Sequence, residues 1–421
     1  MLLASTSGNI HSLGWFTFLQ HYWPVLVVAF VVAVVATPIM RFVARKTGIV
    51  DRPDEARKLH KKPIAYLGGV AIFIAVLAGI CTSHFWIKSP AIFQPFPLVV
   101  IVGMFAIGLT GLADDIFEYF DPWLKVAGQL VAAAALAQQG VGTRVAEGFM
   151  RGVLGIPESV CNFPILEASS LMPDPMTLTT ITGVIIIVIF VLGACNAANL
   201  LDGLDGLLSG TVAITCVGLI AISITIALHL TQENIIDIQS HLTKHPFLNN
   251  RGSGITLLGA NIVLGFAVLG AVLGFLVYNF NPATIFLGDA GSLLLGYLCI
   301  VMVLMLGEQG RTYMVVAGLI VFALPILDTL LAIIRRKLAG KAMSEADSNH
   351  IHHILKRKLG SVKLTVLSLY GISFVFCLLG VALAYAHITD VIGAWVIYLV
   401  AIIIFGGISS IALQAARKHE A

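Results

Sequence analysis

The sequence predicts an all-α, polytopic integral membrane protein with about eleven transmembrane helices, and three observations lead there. Its 421 residues are 58% hydrophobic and only 11% charged. Their mean hydropathy is +0.96, far above that of a soluble protein. The apolar residues gather in runs near the ~20 needed to cross a bilayer. A backbone in hydrocarbon has no water to bond, so such runs satisfy their polar groups internally, as helices.

The spans fall near residues 24–44, 66–84, 97–113, 123–139, 178–195, 207–230, 256–279, 290–306, 312–334, 364–386 and 391–414. Residues 1–23 hold no Lys or Arg and lack the basic start of a secretory signal. They read as an extracytoplasmic segment before a retained first span. That span leads into a basic loop, Lys46 to Gly69. The third span ends at the adjacent carboxylates Asp114-Asp115. Asp121-Pro122 reads as an N-cap followed by a proline at the first helical position. It starts the fourth span and puts Lys125 in its first turn.

The fifth and sixth spans are joined by Asn196 to Gly206, and the seventh and eighth by Asn279 to Ser292. The ninth carries Pro325 and Asp328, the main ionisable group in mid-span and a candidate structural hydrogen-bond partner. His350-Ile351-His352-His353 stands in the basic loop before the tenth, and residues 415–421 form a cytoplasmic tail. The segment near 140–177 contains Pro and Gly and shows no folded-domain pattern, while 231–254 is polar and short-structured or flexible. Residues 1–421 thus read as a single membrane domain without an internal repeat or a soluble partner domain. The six cysteines have no paired or metal-binding spacing.

Eleven spans put the termini on opposite sides. With the N-terminus outside and the C-terminus inside, only Lys88, Arg144, Arg151, Lys244, Arg251 and Arg311 lie in outer segments. The other 19 of the 25 basic residues lie inside, a strong positive-inside bias. The polar clusters named above then share the inner face, as one site would.

Carboxylates are costly in a membrane, about 2.5–3.5 kcal/mol each at the bilayer centre. Asp114-Asp115 is a solvated helix end or a cation site, because adjacent negative charges repel unless a cation or water relieves them. A hard divalent ion takes one or two carboxylates plus substrate phosphates. Asn196, Asn199, Asp202 and Asp205 recur at three-residue spacing with Gly203 and Gly206 between them. This suits a broken helix end whose backbone can approach a ligand, more than an ordinary turn. Phe286, near Asn279 and Asn281, is suited to stacking and hydrogen-bonding a nucleobase, while Asp289 could cap the eighth span. His350, His352 and His353 lie among Lys and Arg, an environment for an anionic substrate more than for a metal.

In this order the motifs identify a resemblance. Gly48-Ile-Val-Asp51-Arg-Pro53, Arg57-Lys58-Leu-His60 and Pro63 through Gly69 come first. Gly111-Leu-Ala-Asp114-Asp115, Asn196 through Leu207, Phe286-Leu-Gly-Asp289-Ala-Gly-Ser292 and His350-Ile-His-His follow. The chain resembles, over roughly 24–400, the polyprenyl-phosphate N-acetylhexosamine-1-phosphate transferases (glycosyltransferase family 4). These are membrane enzymes that start envelope polysaccharides and peptidoglycan lipid intermediates. The His-Ile-His-His form is similar to the branch using UDP-N-acetylglucosamine. The muramoyl-pentapeptide branch usually has Pro before three consecutive histidines, where this chain has Asn349 and an interrupting Ile351.

The resemblance implies transfer of a sugar-1-phosphate from a UDP-sugar to a polyprenyl phosphate such as undecaprenyl phosphate, releasing UMP. It implies Mg2+, with Mn2+ as a substitute, held by Asp289 and the Asp114-Asp115 pair. One of that pair would instead orient or deprotonate the lipid phosphate. It places Asn199, Asp205, Asn279 and Phe286 near the uridine, and His352 with the basic loop at phosphate or sugar. Asp202 joins Asp114, Asp115 and His352 as a catalytic candidate, on the nucleotide side of the site. Lys125, His350 and His353 count as substrate-binding. The expected setting is the plasma (inner) membrane with a cytoplasmic active site, membrane lipid around it, no nucleic-acid partner, and a homodimer as one assembly. Two alternatives stay open: the muramoyl-pentapeptide reaction, and an ion-coupled transporter, which would place its acids near the bilayer midplane.

Overall fold

The computed structural model describes residues 15–51, 63–87, 96–117, 119–166, 176–229, 254–338, 340 and 350–420. The motif residues from Arg52 to Lys62, Asn349 and the 231–253 part of the polar loop lie outside them. Fifteen α-helices are present among the described residues. They are α1 (Trp15–Thr47), α2 (Gly68–Trp86), α3 (Leu98–Ile116), α4 (Pro122–Gln138), α5 (Arg144–Glu147), α6 (Glu158–Cys161), α7 (Leu178–Leu201) and α8 (Leu207–Leu228). There follow α9 (Gly254–Asn279), α10 (Gly288–Met305), α11 (Thr312–Val321), α12 (Ala323–Leu338), α13 (Ile351–Leu359), α14 (Val362–Ile388) and α15 (Ala394–Glu420).

Each apolar segment expected from the sequence lies on one of these helices or, in one case, on a pair. Among the described residues eight helices are long and apolar enough to cross a membrane, or nine if the bent pair α11–α12 is one span. The exceptions are α4, only 17 residues long, and α15, whose described apolar part is Ala394–Gly407.

The span expected over 312–334 is a bent pair of helices. The chain turns by 80° between α11 and α12. Pro325 explains the place: it has no N–H for the carbonyl of Val321, four residues back, and its ring crowds that carbonyl. Helix α11 ends at Val321. Asp121 does cap α4, accepting from the Trp123 N–H at 2.9 Å, with Pro122 at the first position.

Helix α10 is the centre of the bundle. Every residue in it is buried except Asp289. It packs against α2, α3, α7, α8 and α9. Small residues let backbones close in, as membrane helix pairs require: a side chain at Gly111 would meet the Ala290 backbone, and one at Gly270 the carbonyl of Leu26. Polar ties join the layers. Asn261 Nδ2 donates to Ser223 Oγ at 3.1 Å and to the Met302 carbonyl at 3.0 Å, joining α9 to α8 and α10.

The described residues of the segment near 140–177 carry secondary structure of their own. They form α5, a π-helical turn at Gly148–Val153, α6 and an antiparallel pair, β3 (Pro164–Leu166) with β4 (Met176–Thr177). Arg151 bridges Glu147 and Glu158, each at 3.1 Å. At the opposite ends of the helices, β1 (Val50–Asp51) pairs antiparallel with β2 (Ile64–Ala65), Val50 facing Ala65. Ala65 in turn forms a parallel bridge with Ile285. The first loop is thereby stitched to the α9–α10 loop.

Candidate active site

The polar clusters from five separate loops meet at one end of α10. Gly68 and Gly69 donate their N–H groups to the carbonyls of Phe286 and Leu287, at 3.0 and 2.8 Å. Phe286 N–H donates back to the Ala65 carbonyl at 2.8 Å. The rings of Tyr66 and Phe286 lie 6.2 Å apart at a tilt, side by side at the surface of the site.

The adjacent carboxylates Asp114 and Asp115 have different partners. Asp115 turns inward and accepts the N–H groups of Asp289 (2.7 Å) and Ala290 (3.0 Å). These are first-turn donors of α10 with no partner inside the helix, so Asp115 caps α10 from α3. Gly288 is required there: its φ is +68°, and a side chain on it would fall on the Asp115 carboxylate. Asp114 faces outward with Lys125. The Lys125 Nζ lies 2.7 Å from Asp114 Oδ2 and 2.5 Å from Asp289 Oδ2. All three side chains are about a quarter exposed or less.

Asn199 completes this centre. Its Nδ2 donates to Asp289 Oδ1 and to Ser292 Oγ, both at 2.9 Å. One helical turn back, Asn196 Nδ2 donates to Gln129 Oε1 at 3.1 Å. Gln129 is buried and lies one turn beyond Lys125 in α4.

The turn after α7 is the second wall. Asp202 is half-buried at the C-cap of α7. Burial holds its carboxyl well above the usual range, and the charges of Asp289, Asp115 and Asp205 add to this. Asp205 Oδ2 accepts from Asn281 Nδ2 at 2.8 Å and from the Ala283 N–H at 2.9 Å. Asp205 therefore holds the loop that carries Phe286. Asn279 lies behind that loop, 3% exposed. Its Oδ1 accepts from Ser209 Oγ at 2.9 Å and its Nδ2 donates to the Ile285 carbonyl at 3.0 Å, so both polar ends are engaged internally.

The histidines close the third side. A side chain at Gly203 would fall on the His352 imidazole, so glycine lets α13 seat against the turn. His352 is 1% exposed, and among the described residues neither ring nitrogen has a hydrogen-bond partner. Burial, then the neighbouring charge of His353, pushes it down to about 4, so the ring is neutral at pH 7. His353 packs 4.2 Å from it, centroid to centroid. His350 Nδ1 lies 2.9 Å from Asp328 Oδ2.

Every site residue expected from the sequence belongs to this assembly, though not in one role. Asp114, Lys125, Asn199 and Asp289 form its charged centre. Asp115, Asp205 and Asn279 hold backbone in place. Sequence reasoning left out Tyr66, whose hydroxyl bonds Asp51. Burial and the carboxylates of Asp51, Asp115 and Asp289 push that hydroxyl up. Its place just before the tightly packed Leu67-Gly68-Gly69 was the available signal.

Two carboxylates on separate helices, already sharing one ammonium, are a donor set that fits Mg2+ bound jointly with substrate phosphates. Among the described residues no three His, Cys, Asp or Glu side chains are grouped to hold a metal alone.

Carboxylates, a lysine and histidines are thus gathered at one end of a bundle of helices long and apolar enough to cross a membrane. The chain belongs to glycosyl transferase family 4, whose family model matches residues 97–307. It is 32% identical to a probable undecaprenyl-phosphate N-acetylglucosaminyl 1-phosphate transferase of Bacillus subtilis (strain 168), over 86% of each chain. It is 29% identical to a decaprenyl-phosphate N-acetylglucosaminephosphotransferase of Mycolicibacterium smegmatis, over 81% of this chain and 77% of that one. Similarity to a phospho-N-acetylmuramoyl-pentapeptide-transferase of Bacillus thuringiensis is 36% but spans only 27% of this chain and 34% of the relative.

Proposed function

We propose that the protein transfers N-acetylglucosamine-1-phosphate from UDP-N-acetylglucosamine to undecaprenyl phosphate, releasing UMP, as the first membrane step of an envelope polysaccharide. One observation carries the reading: Asp114 and Asp289, from different helices, converge on Lys125 at the loop end of the bundle. A lipid phosphate held in the interface would reach this point while its tail stays in hydrocarbon. Likeness over most of the chain to relatives named for N-acetylglucosamine phosphate transfer supports this sugar over the muramoyl-pentapeptide. A transporter is disfavoured because the acids gather at helix ends.

In the reaction an oxygen of the lipid phosphate attacks the phosphorus that carries the sugar. The bond from that phosphorus to the bridging oxygen breaks, and UMP leaves with it. Asp114 and Asp289 would hold Mg2+, which when bound neutralises the pyrophosphate and stabilises the charge of phosphoryl transfer. Lys125 places a positive charge beside the same oxygens. Asn199 fixes the orientation of Asp289, and Asp115 fixes the backbone that carries it. Phe286 offers a ring to the uracil, and Asp205 sets the loop beneath that ring. His350, His352 and His353 would serve the phosphates and sugar.

The proposed topology has eleven crossings with the N-terminus outside and the site on the cytoplasmic face of the plasma membrane. The bias of basic residues supports it. A homodimer is compatible with this arrangement.

The direct test uses purified protein with Mg2+, undecaprenyl phosphate and a panel of UDP-sugars that includes the muramoyl-pentapeptide. UMP should appear with UDP-N-acetylglucosamine and require both the lipid and the metal. Release with the pentapeptide nucleotide alone would move the chain to the other reaction. A second expectation concerns the loop latch. Asp205→Ala should raise KM for the UDP-sugar about tenfold, the value of roughly 1.4 kcal/mol, and leave KM for the lipid unchanged. Equal losses for the two substrates would assign Asp205 to folding or chemistry.

A further inference from the structure

Two helices at this face begin under a carboxylate sent from another helix. Asp115 caps α10, and Asp328, fully buried in α12, caps α13. Asp328 Oδ1 accepts the Ile351 N–H at 2.8 Å. A cap needs no more than this. The second oxygen, Oδ2, meets His350 Nδ1 at 2.9 Å and lies 4.0 Å from His352 Nδ1.

That second contact fixes a proton. A carboxylate can only accept, so against the Asp328 carboxylate His350 Nδ1 is the donor, and Nε2 is the nitrogen that this bond does not engage. The His350 ring lies nearly parallel to His352, with centroids 5.6 Å apart and planes 14° apart. Among the described residues His352 has no hydrogen bond of its own to set its position. It is held between His350, His353 and the Gly203 backbone. One carboxylate therefore orders the first histidine directly and the second through it. It does so from α12, the half-helix beyond the 80° bend.

We propose that Asp328 is a positioning residue for the transfer reaction: through its bond to His350 Nδ1 it fixes which nitrogen of that ring faces the substrates and seats His352 against the Asp202-Gly203 turn. The proposal rests on the transfer reading above. Asp328 acts through His350.

Asp328→Asn separates this role from capping. The amide keeps the shape and one oxygen for the Ile351 N–H, but it turns an NH2 toward His350 Nδ1. The ring must then move its proton to Nε2 or lose the bond. UMP release should fall in kcat about 10- to 100-fold, the usual cost of losing a group that orients a histidine. KM for UDP-N-acetylglucosamine should stay within about threefold, and the unfolding midpoint in detergent should not move. Should Asp328→Ala and His350→Ala be combined, the double variant should lose no more than the worse single one, because the pair acts as a unit. Three results would overturn the proposal: a kcat for Asp328→Asn within about twofold of wild type, a double loss equal to the product of the single losses, or a kcat loss matched by a lowered midpoint. A wild-type protein that releases no UMP from any UDP-sugar would instead remove the transfer reading itself.

Discussion

Replacing Asp289 with Asn should lower UMP release about a thousandfold or more while the protein stays folded in the membrane. Asp289 is the one residue of α10 that is not buried, so its side chain serves the site. Its Oδ2 meets Lys125 at 2.5 Å, and its Oδ1 accepts from Asn199 at 2.9 Å. An amide retains the Asn199 bond but points an NH2 at an ammonium and removes a formal charge from the proposed Mg2+ site. A bound metal supplies several kcal/mol of transition-state stabilisation, and about 4 kcal/mol corresponds to a thousandfold in rate. The fold should survive because Asp115 holds the backbone N–H of residue 289, which the change does not touch. UMP release by purified wild type and variant, beside thermal unfolding in detergent, reads both parts. Turnover within about tenfold of wild type would sink the assignment of Asp289 to the metal.

Alanine at the two adjacent carboxylates should separate chemistry from stability. Asp115→Ala leaves the first-turn N–H groups of residues 289 and 290 without their acceptor. A buried donor stripped of its partner costs about 1–3 kcal/mol, and a lost cap about 0.5–2. A stability loss of about 2–4 kcal/mol follows, together with lost activity, because the backbone that aims Asp289 is released. Asp114→Ala removes a partly exposed ion pair with Lys125. Such a pair contributes about 1 kcal/mol or less, so the midpoint should barely move while UMP release falls about a hundredfold or more. Thermal unfolding and turnover of both variants decide. Equal destabilisation by the two would mean that Asp115 does not hold α10 as described.

Much of this was legible in the sequence. Apolar runs gave the helices, and the Asp121-Pro122 cap gave the start of α4 within a residue. Pro325 was visible, but the bend it causes was not, because a proline inside an apolar run can also be absorbed within a helix, as Pro38 is in α1. The polar clusters were found because carboxylates and amides are scarce among apolar residues. Their division of labour was hidden. Asp114 and Asp115 differ by one position, a rotation of about 100° on a helix, enough to aim one at Lys125 and the other at α10. Spacing did not show that Asp205 bonds the loop that carries Phe286, or that Asn279 ties that loop to Ser209 of α8.

By itself the sequence determined which segments are helical and apolar, where the polar clusters fall, and which family motifs they carry. Those properties are local, set by composition and by the cost of polar groups in hydrocarbon. Only the tertiary structure decided which groups meet: Asp115 with the N–H of Asp289 across 174 positions, Lys125 with Asp289 across 164, and His352 with Gly203. Such pairings depend on how helices pack around α10, at distances along the chain that hydropathy and spacing do not encode.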